Sequence, residues 1–236
     1  SPYPLFDRYD FGPVVDGDIV PVHPFDPGAS TVQPDIPLII GDMKQETASY
    51  LAPIDEVWNR TLTREDMLHR VAPIAGKHTG RVIELYEQIC HGMDPAEELI
   101  AITSDSNFRI RSWVLAQRRV ALGRGKVWMY SFEWETPVFD GRLGAPHAMD
   151  VPFTFNTLDL TNATGGAPEA EMLSDTMATL WCSFARTGRP EHPAVPAWPV
   201  YDTAERSTLI LDRVCRIEHD PRGDARRLWM DITATA

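Results

Sequence analysis

Two side chains have the types and placement that acid–base chemistry needs: Glu46, in GDMKQETASY, and His147, in LGAPHAMDVP. A histidine titrates near neutral pH and can take a proton from a reacting group. A carboxylate on its other ring nitrogen fixes the tautomer and stabilises the imidazolium that forms. Such a pair makes two-thirds of a relay whose third member is a nucleophile giving its proton to the imidazole. His147 is one of seven histidines, and alone it reads as a loop residue capping a local hydrogen bond. What changes that reading is Glu46, about a hundred residues upstream, in the same kind of place.

That place is a loop following a strand. Asp35–Gly41, DIPLIIG, is a compact apolar run closed by a glycine and reads as a buried central strand, with Pro37 tolerable near its start. Val127 to Trp134 is an aromatic and β-branched run of strand length. A loop with Pro137, Gly141, Gly144 and Pro146 follows and ends on His147, before a second apolar segment, Val151–Phe155. Open α/β sheets place working residues beyond the carboxyl ends of their strands.

Helices are expected between and after these strands. Thr63 with Asp66 reads as a helix start, and Asp94, Pro95 and Glu97 as a capped one. Val82, Leu85, Tyr86 and Ile89 mark one apolar face, and Ile110, Trp113, Val114, Val120 and Ala121 another. Leu173, Met177, Leu180, Trp181 and Phe184 predict a long helix ended by Gly188 and Pro190, and Thr208–Leu211 a short strand. Residues 1–34 are Pro-rich and predict an extended connection, with apolar touches at Phe11–Val15 and Ile19–Val20 around an Asp16-Gly17 turn. Phe108, Trp128, Trp134 and Phe153 are expected in the core. The alternation is that of α/β architecture, and the chain is read as one domain over 1–236.

The net charge of −12 and the lack of a basic cluster argue against a nucleic-acid partner. No run is long and apolar enough to span a bilayer, so no membrane partner is expected. Cys90, Cys182 and Cys215 read as buried free thiols. Cys90-His91 is an adjacent pair with no second pair at ligand spacing, so no metal is expected. GRGK at Gly123–Lys126 lacks the spacing of a phosphate-binding loop.

In α/β-hydrolases the order along the chain is nucleophile, acid, histidine. Glu46 before His147 obeys it, which puts the nucleophile upstream of Glu46. No G-x-S-x-G occurs in the sequence, Ser30 lacks the second glycine, and Ser104, Ser106 and Ser112 fall in or beside expected helices. No glycine run is present to build an oxyanion hole.

The sequence resembles the carboxyl-terminal half of a type-B carboxylesterase, the family of cholinesterases and bacterial p-nitrobenzyl esterases. FGPVVDGDIVPVHPF, DIPLIIGDMKQET, SDSNFRIRSWVLAQ, VWMYSFEW, LGAPHAMDVPFTF, LWCSFARTGRP and AWPVYD carry the resemblance, in order, almost end to end. It implies the later part of an α/β-hydrolase fold, a mostly parallel central sheet flanked by helices. It puts the triad acid on Glu46 and the triad histidine on His147. The acid turn is Gln45-Glu46-Thr47 where the family usually has Asp-Glu-Gly, and Ala148 stands where Gly is common. Asp105, at an expected helix start, is either a cap or, as the resemblance implies, an ion-pair partner of Arg226 or Arg227.

The implied function is hydrolysis of a small-molecule carboxylic ester through an acyl-enzyme, with no cofactor. The serine and oxyanion donors are expected on a companion amino-terminal polypeptide or missing segment, and this chain alone is expected to be inactive. An amide or carbamate hydrolase with the same triad, and a non-catalytic cholinesterase-like interaction module, are the alternatives.

Overall fold

The apolar run after Lys126 forms the middle of the sheet. β2 (Val127–Phe132) has all six residues buried and lies between β1 (Leu38–Met43) and β3 (Ser207–Leu211), parallel to both. β4 (Arg216–His219) closes the far edge, antiparallel to β3. A strand covered on both faces must be apolar on both, which is why this stretch shows no alternation. Val127 and Met129 enter one core, while Trp128, Tyr130 and Phe132 enter the other. The computed structural model describes residues 14–32 and 34–234.

The first core is built by helices that follow β1: α1 (Ala48–Leu51), α2 (Asp55–Trp58), α3 (Arg64–Ala75), α4 (Thr79–Ile89), α5 (Pro95–Ser104) and α6 (Ile110–Ala121). Met67, Val71, Val82, Leu99, Ile102 and Trp113 are buried there. The second core lies under α7 (Asp150–Thr154) and α8 (Pro168–Thr187), with Phe153, Leu173, Met177 and Leu180 against the sheet. α9 (Gly223–Ala234) returns to the first core through Leu228, Trp229 and Ile232. The caps fall where the residue types place them. The Thr63 hydroxyl accepts from Asp66 N, and Asp94 and Glu97 form a reciprocal capping box with Pro95 at the first turn. Gly188 ends α8 in the left-handed conformation, as expected.

Four expectations change. The first strand starts after Pro37 and runs on to Met43; among the described residues it pairs only with β2, so it is an outer strand whose first four residues are half-buried. β4 went unforeseen because RIEH, at the open edge, carries charged residues and no apolar run. Asp16 accepts from Asp18 N and Val20 N in a local turn, with no strand in the described residues around it; Phe11 to Pro13 lie outside the described residues. The cysteines are unpaired, but only Cys90 is buried, and Cys182 is exposed on α8.

Gly41 shows how tightly β1 and β2 are matched. It sits opposite Tyr130, and a Cβ built on it would lie 2.4–2.5 Å from three carbons of that ring. Gly41→Ala is expected to cost about 1–3 kcal/mol through overpacking. The melting temperature should then fall by roughly 2–4 °C for each kcal/mol, and an unchanged melt would refute the close packing described.

Candidate active site

Glu46 and His147 meet. His147 Nδ1 lies 2.7 Å from Glu46 Oε2. The other carboxylate oxygen, Oε1, accepts from Met43 N at 2.9 Å. An ionised carboxylate only accepts, so Nδ1 carries the hydrogen of this bond, and the lone pair resides on Nε2. The ring is 41% exposed, while Glu46 is buried beneath it. His147 packs against two aromatic rings, Phe108 at 4.9 Å and Tyr50 at 5.6 Å between centroids, which also stack on each other. Phe108 is thus part of the site wall and not of the core, where its residue type had placed it.

The two loops are joined as a continuation of β1 and β2. Lys44 N donates to Phe132 O and Gln45 N to Ala145 O, both at 3.0 Å. The Gln45 amide oxygen accepts from Ala145 N at 2.8 Å. Gln45 and Pro146 form a parallel bridge, so the next residues along each loop, Glu46 and His147, come out side by side. Gly144 has φ +58°, and a Cβ there would collide with the Gln45 amide at 2.5–3.0 Å, so this approach requires glycine. Behind the acid, Thr47 Oγ1 lies 2.6 Å from Thr103 Oγ1, and Thr47 N donates to Ser104 Oγ, which pins the turn to α5.

Helices α5 and α6 join through one π-helical turn, Asp105–Arg109. The turn buries Asp105 and Arg109 together, and π-turns inside helices recur at working sites. Arg109 Nε donates to Asp42 Oδ1 at 2.9 Å, Nη2 to Met43 O at 2.7 Å and Lys44 O at 3.1 Å, and Nη1 to Asp105. This guanidinium therefore holds the end of β1 from which Glu46 emerges. Asp105 also accepts from Tyr86 OH and, at 2.9 Å, from Arg222 Nη2. The expected ion-pair partners Arg226 and Arg227 instead bind Asp220, because they lie further along α9 and face the loop before it. Arg109 lay hidden in the sequence: it precedes the apolar stripe that starts at Ile110, where a charge reads as solvated.

Burial is the main cause that raises the Glu46 carboxyl above its ordinary value of 4.5, and the Met43 amide and His147 pull it back. Asp150, the first residue of α7, accepts from Tyr130 OH at 2.8 Å, and burial raises it too. Ala148, beside the histidine, has φ +62°, a conformation that costs a non-glycine residue about 1 kcal/mol. Among the described residues no cluster of His, Cys, Asp and Glu is arranged to hold a metal ion. No helix among them is long and apolar enough to cross a membrane.

Known proteins share this arrangement of elements. The profile of the carboxylesterase family matches residues 2–229. The para-nitrobenzyl esterase of Bacillus subtilis (strain 168) is 31% identical over 225 residues, covering 92% of this chain and 42% of that protein. Acetylcholinesterase of Bungarus fasciatus is 29% identical over 226 residues, covering 89% of this chain and 37% of that enzyme. The crystal structure of a Geobacillus stearothermophilus carboxylesterase superposes with a TM-score of 0.77 at 29% identity, over 95% of this chain and 47% of that one. This chain therefore spans less than half the length of each of these relatives. Its sheet and flanking helices are those of an α/β-hydrolase fold.

Two outcomes follow from the geometry. Because the folded-state pKa of Glu46 is raised, the folded chain holds that proton more firmly than the unfolded one. The ionised form therefore costs stability, and the cost grows as pH rises from about 4.5 through the folded value. Relative to wild type, Glu46→Gln should gain stability between pH 4 and pH 8 in parallel denaturant melts, and a gain by wild type over that range would reverse the sign argued here. Arg109→Met, which strands Asp42 without its cation and leaves Asp105 with Arg222 alone, should cost about 3–5 kcal/mol, and a midpoint shift under 1 kcal/mol would show that the clamp is slack.

Proposed function

Because this chain belongs to the carboxylesterase family, we propose that it supplies the acid and the base of a Ser-His-Glu triad that hydrolyses a small carboxylic ester through an acyl-enzyme. One observation carries the proposal: the 2.7 Å contact between His147 Nδ1 and the buried Glu46 carboxylate, with the ring itself partly exposed. In this reading Nε2 takes the proton of a serine hydroxyl as that oxygen attacks the ester carbonyl, and returns it to the departing alkoxide. Water then repeats the cycle on the acyl-enzyme. Glu46 stabilises the imidazolium at each stage and does not itself take the proton.

The serine and the oxyanion donors come from a missing segment or a second polypeptide, since no nucleophile-bearing turn occurs in these 236 residues. That complement and an ester substrate are the partners, and no organic cofactor or metal enters the steps. Retention of both members of the pair, correctly oriented, supports this reading over a non-catalytic interaction module.

The protein, completed by its nucleophile-bearing part, should hydrolyse p-nitrophenyl esters, and His147→Ala should lower kcat by about 10³-fold or more. Glu46→Gln should lower it by up to about 10⁴-fold with little change in KM, as expected when an orienting carboxylate is lost. A fluorophosphonate probe read by intact mass should label the completing part and leave this chain unmodified. Full activity of His147→Ala, or a probe adduct on residues of this chain, would overturn the assignment.

A further inference from the structure

Behind the joined loops lies a cleft, about 190 Å³ in volume, bounded by the end of α4, the start of α5 and the loop before His147. Its charged lining is Lys44, Arg60, Arg142 and Arg222 against Glu97 and Glu135. In a chain of net charge −12, this is a local excess of cations. Two of the four are fully engaged: Lys44 Nζ lies 2.9 Å from Glu135, and Arg60 lies 3.3 Å from both Asp94 and Glu97. The other two are not. Arg222 binds Asp105 through Nη2, but its Nε is buried and has no acceptor. Arg142 stacks over the Trp58 ring at 5.5 Å, donates one long bond to Trp58 O, and has no carboxylate partner among the described residues.

We propose that this cleft binds a small organic carboxylate, with its charged group on Arg142 and Arg222 and its apolar body on Ile100 and Ala101 of α5. Planar guanidinium donors match a carboxylate, and unsatisfied buried donors are the groups that gain most from an acceptor. The Cys90 thiol in the wall, raised to about 11 by burial, is neutral and does not repel an anion. The volume admits a ligand of a few carbons, and the apolar floor selects against inorganic phosphate. Gln45 and Gly144, which tie the acid loop to the histidine loop, also line the cleft, so an occupant touches the parts that align Glu46 with His147. An ester hydrolase releases carboxylates, so occupancy would register product. That consequence rests on the function proposed above, whereas binding itself does not.

The test is calorimetric titration of the purified protein with butyrate and with benzoate, using benzamide, benzylamine and inorganic phosphate as controls. It needs no turnover, so it can succeed or fail independently of the esterase assay. Saturable binding in the millimolar range is expected for both carboxylates, at least about tenfold tighter than for benzamide or phosphate. Arg142→Gln should weaken it at least about fivefold through loss of a charge-assisted bond. Ala101→Leu, which fills the cleft without touching a charge, should weaken it comparably, and thermal melts of both variants establish that they are folded. Should Arg142→Gln fail to fold, Ala101→Leu alone decides. The proposal falls if no saturable binding occurs, if benzamide or phosphate binds as tightly, or if a folded variant keeps wild-type affinity.

Discussion

One buried guanidinium holds the candidate site in register. Arg109 reaches from the π-turn between α5 and α6 to Asp42 and Met43 at the end of β1 and to Lys44 just beyond it, and its own charge is balanced by Asp42 and Asp105. Asp42, Met43, Asp105 and Arg109 are all nearly inaccessible to water, so their desolvation is compensated only if the bonds are all made together. This all-or-none character is the source of the rigidity. The Met43 amide that donates to Glu46 belongs to the same residue whose carbonyl Arg109 grips. The orientation of the acid is thus inherited from an ion network that contacts neither Glu46 nor His147. Through Asp105 the network runs on to Tyr86, Trp229 and Arg222, which ties α4 and the approach to α9 to the same point.

A second constraint comes from how the acid and base are brought side by side. They are carried on neighbouring parallel strands, and the loops beyond those strands keep the sheet's pairing for a further step, through Gln45 and Ala145. Sheet register thereby becomes site geometry, and a slip of one residue would turn the acid to the other face. The surroundings favour function over stability: Glu46 is an ionisable group buried beneath the histidine ring, and Ala148 holds a left-handed conformation beside that histidine. Such local costs persist only where packing over-determines them, and here the fully buried β2 and both flanking cores supply that packing.

What the sequence revealed and what it hid divide along a physical line. Local signals were legible. The apolar run of β2, the capping box at Asp94, the glycine stop of α8 and the loop positions of Glu46 and His147 are all set by residues near one another in the chain. The hidden features depend on tertiary neighbours. The outer position of β1 is decided by which strands lie beside it, and β4 has only edge pairing to reward it. The π-turn differs from an ordinary helix by a single inserted residue, with no compositional mark. Arg109 and Phe108 took their roles from that turn, which rotates one into the ion network and the other onto the histidine ring. Asp105 pairs with Arg222 and not with the expected Arg226 or Arg227, because a count along the chain cannot say which arginine near the start of α9 is aimed inward.

The division of labour within the proposed triad follows from these contacts. Among the described residues, the groups that orient Glu46 and His147 are the Met43 amide, the Thr47 anchor, the Gln45 bridge and the aromatic pair. The costly step in assembling a relay is fixing the tautomer and direction of the imidazole, and the acid does that before any nucleophile arrives. A complement therefore has to bring only a hydroxyl to Nε2 and donors for the developing oxyanion. The His147 ring is 41% exposed, which leaves part of it open to such an approach. In the proposed relay the acid–base pair is thus held in place by this chain's own contacts, and the rest of the rate enhancement would depend on where the completing residues are held.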